Sequence, residues 1–211
     1  MTAALFLLLV QAAEYTVAIT AVSIAIGIAL GTALCAAALS PAGPVRGAAR
    51  LYISFFRGVP LLVQLLLFYH LLPRLGINVS SVAAAVLALS LCTAAYQAEN
   101  LRGGFLSVPR GLLEAADMVG MTALQRFLRV QAPIAIRLTI PAMVNEAIQI
   151  LHASALISVV GVIELTKTAR DLSASTYLPL PIYACAGLLY LVMTLGLVGL
   201  GRYSERRLRV A

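Results

Sequence analysis

The chain has 211 residues, of which 62% are hydrophobic and 11% charged, and its mean hydropathy is +0.99. A water-soluble domain carries about 25% charged residues, so the bilayer must serve as much of this chain's solvent. The formal net charge of +7 sits in short loops between apolar runs, which is a pattern of membrane topology and argues against a nucleic-acid partner.

The Leu-rich start, Leu5 to Val10, has no positive region ahead of it, unlike a secretory signal. It is expected to be retained and to lie at the interface before the first span. The first span is read as Thr16–Leu39, followed by the turn-forming Ser40-Pro41-Ala42-Gly43-Pro44. The second is Leu51–Leu72, with Pro60 near its start and Arg57 snorkelling to the interface. The third is Val82–Ala98, the fourth Leu138–Val160 and the fifth Ile182–Gly201. Each is close to the ~20 residues that cross the hydrocarbon core. The expected fold is an all-α integral membrane domain of about five spans filling residues 1–211. Cys35, Cys92 and Cys185 fall inside spans without CxxC spacing, so neither a disulfide nor a metal site is expected.

Loop charges orient the spans. Arg46, Arg50 and Arg57 follow the first. Arg102, Arg110, Arg126, Arg129 and Arg137 follow the third, and Arg202, Arg206, Arg207 and Arg209 follow the fifth. The other side holds Arg74, Lys167 and Arg170. Cytoplasmic loops carry the basic excess, which puts the N-terminus outside and the C-terminus inside.

The loop over residues 100–137 carries local order. Pro109 opens a short helix and Gly120 stops it, the usual asymmetry of helix ends. A second short helix starts at Thr122, with Gln125 completing a capping box, and stops before Pro133. Leu112, Leu113, Ala116, Met118 and Val119 give this helix-turn-helix more apolar surface than a free loop exposes. That surface either packs on its own spans or receives a partner protein.

In the fourth span, Asn145, Glu146, Gln149 and His152 fall on one side of a helix at about 100° per residue. Glu146 and Gln149 lie near mid-span, where a carboxylate costs several kcal/mol unless paired or wetted. Either this face lines a solute pathway and binds a cationic group, or Glu146 is paired structurally with backbone or His152. Pro141 is expected to open the helix and expose carbonyls nearby. Gln64 is a weaker pathway candidate, since a lone amide in an apolar span also serves to join helices. Glu99 and Arg102, three apart, read as a local ion pair.

The loop sequence Glu114-Ala115-Ala116-Asp117-Met118-Val119-Gly120, then nine residues, then Val130-Gln131-Ala132-Pro133 resembles the EAA motif of permease subunits of ATP-binding-cassette importers. Val130 and Ala132 stand where that pattern has Ile and Leu. Phe56-Arg57-Gly58-Val59-Pro60-Leu61-Leu62-Val63-Gln64 resembles the polar amino acid permeases in particular. So do Tyr96-Gln97-Ala98-Glu99, Asn145-Glu146 and the run from Ile157 to Leu165. His152-Ala153 is a departure, standing where that family usually has Lys-Asp.

The resemblance implies a type I importer permease in a bacterial inner membrane. It pairs with a second permease, identical or related, and serves an extracytoplasmic binding protein. Two partner ATPase subunits bind the ATP, since this chain has no GxxxxGK[ST] loop, and no cofactor of its own is expected. Glu114, Ala115, Ala116, Asp117, Gly120 and Pro133 are then the ATPase-coupling residues. The cargo implied is a polar amino acid or similar small solute. An opine, or a compatible solute such as ectoine, is the alternative that the His152 departure raises. A secondary transporter without ATP would call for an inverted repeat, and none is visible. An intramembrane enzyme would call for motifs such as HExxH or GxSxG, which the spans lack.

Overall fold

A computed structural model describes residues 3–209, with side chains through Arg207. Among the described residues nine α-helices follow one another: α1 Ala3–Ala38, α2 Gly43–Gly58, α3 Leu61–Arg74, α4 Ser81–Leu106, α5 Arg110–Met118, α6 Ala123–Arg126, α7 Ala132–Ala153, α8 Leu165–Thr176 and α9 Pro179–Arg209. A π-turn, Phe127–Gln131, joins α6 to α7, and a 3₁₀ stretch, Ser154–Val160, leaves α7. Four of the described stretches are long and apolar enough to cross a bilayer, namely Ala3–Ala38, Ser81–Leu106, Ala123–Val160 and Pro179–Arg207. The α2–α3 pair supplies a fifth only as a broken one, bent by 105°.

The Leu-rich start is not a separate interfacial segment, because α1 is a single helix of 36 residues. At about 1.5 Å per residue it reaches about 54 Å, longer than the ~30 Å hydrocarbon core. Packing keeps its first turns helical: Leu9 and Ala13 are buried against Leu165, Ala169 and Ile182.

The expected span Leu51–Leu72 is likewise two helices. Pro60 brings no N–H, so α2 ends at Gly58 and the chain turns before α3. At about 100° per residue Arg46, Arg50 and Arg57 share a 40° arc, beside the buried Ala49, Ile53 and Phe56. Thus α2 is amphipathic, while α3 is the apolar member of the pair.

The centre of the bundle is α4, held most closely by α1. A Cβ added to Gly27 would fall 2.5 Å from the Thr93 Cβ, and one on Gly31 would fall 2.8 Å from the Gln97 Cβ. Small residues on α4, among them Ala84, Ala88, Ala94, Ala95 and Ala98, keep the facing surface flat. Lipid does not drive helices together as water does, so such close approach is the main source of cohesion.

The second loop helix does not stop before Pro133. It makes one α-turn, passes through the π-turn and enters α7, so Pro133, which has no N–H to give, lies just past a π-turn where the regular ladder is already interrupted. Helix α7 then continues through Pro141 to Ala153, so the expected opening at Pro141 does not occur.

Candidate functional site

A cleft of about 540 Å³ opens between α4 and α7, with Leu61 of α3 closing one side. Helix α7 contributes Asn145, Glu146 and Gln149, and α4 contributes Cys92, Tyr96 and Asn100. Three of the expected side chains therefore converge. Glu146 is 9% exposed and forms no hydrogen bond or ion pair with any described residue. Neither the backbone nor His152 neutralises it. A carboxylate buried in this state is costly unless water or a group beyond the described residues meets it.

Two expected residues do not join the cleft. His152 faces α9, its Nε2 3.0 Å from the Thr194 hydroxyl. Helix α7 is wedged between α4 and α9, and the divide between its two polar faces falls between Gln149 and His152. Gln64 is buried at the α2–α3 corner and donates its amide N–H groups to the carbonyls of Phe56 at 2.9 Å and Val59 at 2.7 Å.

The expected Glu99–Arg102 pair is present and bidentate, at 2.9 and 2.8 Å. Arg57 joins it from α2, 3.7 Å from the Glu99 carboxylate and 5.2 Å from the centre of the Tyr96 ring. Sequence reading missed both this third member and the contribution of Tyr96 and Asn100. The one available signal was that Tyr96 and Asn100 stand four apart on a single helix face.

At the other end of α7, α5 and α6 form the expected capped pair. The Gln125 backbone N–H donates to the Thr122 hydroxyl at 3.3 Å, and the Thr122 backbone N–H donates to the Gln125 side-chain amide oxygen at 3.0 Å. Gly120 ends α5 at φ +76°, and Arg126 donates to the Asp117 carboxylate at 2.7 Å, pinning one helix to the other. The Phe105 and Phe127 rings stack 5.8 Å apart and tie the segment to the end of α4. Ala116 turns inward, and Glu114, Ala115 and Asp117 face out. Met118 at 87%, Val119 at 73% and Leu124 at 66% exposure leave an apolar surface uncovered.

Beyond the 3₁₀ stretch, Glu164 is wholly buried and caps α8, accepting from the N–H groups of Thr166 at 2.9 Å and Lys167 at 2.7 Å. The Tyr190 hydroxyl donates to it at 3.1 Å. Burial pushes this carboxyl above its ordinary range, and the hydrogen bonds oppose the rise. Here too sequence reading placed no special role.

Residues 23–210 match the family described as "Binding-protein-dependent transport system inner membrane component". The chain belongs to this family. Among relatives of this inner membrane component, the octopine transport system permease protein OccM of Rhizobium meliloti is 42% identical over 69% of this chain and 63% of its own length. The histidine/lysine/arginine/ornithine transport system permease protein HisM of Escherichia coli K12 is 39% identical, over 74% of this chain and 70% of its own. The matched region thus spans under two thirds of the octopine relative. Among solved structures, one titled an amino acid ABC transporter with histidines superposes with a TM-score of 0.89 at 36% identity, covering 95% of this chain and 94% of that one. The MetNI methionine ABC transporter in an inward-facing form gives 0.79 at 21% identity over 99% of each chain, a likeness of fold alone. The fold is that of type I ABC importer permeases.

Proposed function

We propose that this chain is the permease subunit of an ATP-driven importer, and that the α4–α7 cleft is its share of the solute pathway. One observation carries the reading. A continuous run of helix leads from the capped α5–α6 segment, through the π-turn and α7, to Glu146 in the cleft. A push on one end is a displacement at the other. The exposed apolar tip around Met118, Val119 and Leu124 is then the seat of an ATPase subunit, with Glu114, Ala115, Asp117 and Gly120 around it. Pro133 marks where the seat joins the rod.

Two ATPase subunits and a second permease complete the machine, together with an extracytoplasmic binding protein, the one partner that the family description names. ATP binding on the partners closes them and turns the cleft outward, and hydrolysis resets it. Solute biases these states only through contacts that differ between them. Glu146, which no described cation pairs with, fits a solute with an ammonium or guanidinium group. Basic amino acids and octopine, the cargoes in the relatives' names, share that chemistry.

The test is reconstitution in liposomes with a cognate ATPase and binding protein, measuring ATP hydrolysis with arginine, histidine or octopine. Hydrolysis stimulated by one of them is expected. Solute flux through the purified chain alone would overturn the reading.

A further inference from the structure

We propose that Gln64 is a positioning residue: its amide clasps the α2–α3 corner, and the corner sets two walls of the cleft. The functional consequence rests on the cleft being the solute pathway, whereas the clasp itself does not. In an unbroken helix the Phe56 carbonyl would accept from residue 60 and the Val59 carbonyl from residue 63. Residue 60 is Pro60, which has no N–H. The Val63 N–H is diverted to the Pro60 carbonyl at 3.0 Å. Both carbonyls are therefore left without donors, and a carbonyl shut away from water must find one.

A primary amide has two N–H donors on one nitrogen. That of Gln64 reaches both carbonyls, at 2.9 and 2.7 Å, from a side chain only 1% exposed. With acceptors on both contacts, the nitrogen must face the corner. The amide oxygen has no donor among the described residues, so the side chain's bonding is spent on the corner alone. Asn would be a methylene short. Glu would bring acceptors, Met no donor and His one donor.

The corner matters because of what flanks it. Leu61, the first residue of α3, lines the cleft. Arg57, in the last turn of α2, lies over Tyr96, which also lines it, and beside Glu99. Phe56 stacks on Phe68 across the bend, 6.5 Å apart, but an aromatic contact does not feed the carbonyls. Loosening the amide frees Leu61 and Arg57 together.

The experiment uses the full chain in native membranes and reads thiol modification by a small methanethiosulfonate, resolved by peptide mass spectrometry. Cys92 lines the cleft, and Cys185 on α9 serves as internal reference. The Cys92 to Cys185 ratio is expected to rise about tenfold in Gln64→Met and about threefold in Gln64→His, following the number of donors lost. An unchanged ratio in Gln64→Met, or equal rises in both variants, overturns the clasp. If Gln64→Met fails to insert, Gln64→His decides, and an unchanged ratio again overturns it. No solute or ATPase is needed, so this result stands apart from the transport reading. In a reconstituted complex that responds to arginine, Gln64→His should also raise the half-saturating arginine concentration about threefold. Raised labelling without that shift overturns the positioning role.

Discussion

Helix α4 and the α5–α6 segment treat apolar and polar groups in opposite ways. Helix α4 lies at the centre, yet most of what it buries is small or polar, chiefly alanines with Ser90, Thr93 and Gln97, and its large apolar exceptions are Leu89 and Leu101. The α5–α6 segment lies at the rim, yet it exposes Met118, Val119 and Leu124. A soluble protein would reverse both. In lipid, burial selects for fit instead of hydrophobicity, because the surroundings are already apolar. At the rim that rule ends, and an uncovered apolar tip calls for a protein to cover it.

The strongest way to break this contrast is to enlarge a residue at the α1–α4 contact. Gly31→Leu would drive a Cβ to 2.8 Å from Gln97 and 2.9 Å from the Ala94 carbonyl. Nearly all membrane-inserted protein should be lost, as read by quantitative blotting of membrane fractions. Gly103→Leu, whose added Cβ meets nothing within 4 Å, should insert normally. Equal levels would mean that fit does not govern α4.

The next effect falls on the rim. Gly120 sits at φ +76°, where a β-branched residue costs roughly 1–2 kcal/mol. Gly120→Val should leave insertion intact and lower solute-stimulated ATP hydrolysis by about tenfold or more by displacing the tip. Undiminished stimulation would detach this segment from coupling. A smaller change is expected in the cleft, where Glu146→Gln removes a carboxylate that pairs with no described residue. The solute concentration for half-maximal stimulation should rise about fivefold, with stimulation weakened more than basal hydrolysis. Equal losses in both would return Glu146 to a structural role.

The smallest expected effect sharpens the same rule for a buried carboxyl whose donors all lie within the chain. The folded pKa of Glu164 is raised by burial. Its stabilising contribution is therefore complete below the ordinary value of about 4.3 and declines as pH rises through the higher folded value. Thermal unfolding of the purified protein should fall over that rise, and Glu164→Gln should flatten the slope. A slope unchanged by the substitution would mean that Glu164 does not govern it.

Much of this was readable from residue order. The capping box at Thr122, the stop at Gly120 and the Glu99–Arg102 pair all form within a few residues of chain, and each appears where local rules put it. The three polar side chains of α7 that meet in the cleft follow from helical periodicity alone. Errors arose where a local rule met a tertiary contact. Residue order makes Pro60 an ordinary early-span proline, but the chain turns by 105° there, and an amide four residues on satisfies the carbonyls that the turn exposes. By residue order Pro133 is a stop, but the π-turn just ahead of it lets the helix run on past a residue with no N–H. Periodicity grouped His152 with its neighbours, and only the position of α9 separated them.

Residue order by itself determined that the chain is helical and lipid-embedded, and that a capped, apolar-tipped segment interrupts its spans. Those features arise from composition, periodicity and hydrogen bonds made within a few residues. Tertiary structure alone decided that Arg57 meets Glu99, that Tyr96 and Asn100 face Glu146, and that Gln64 serves a corner and not the cleft. These pairings join residues far apart along the chain, or depend on the direction of a bend. They exist only once close helix packing has fixed which faces meet.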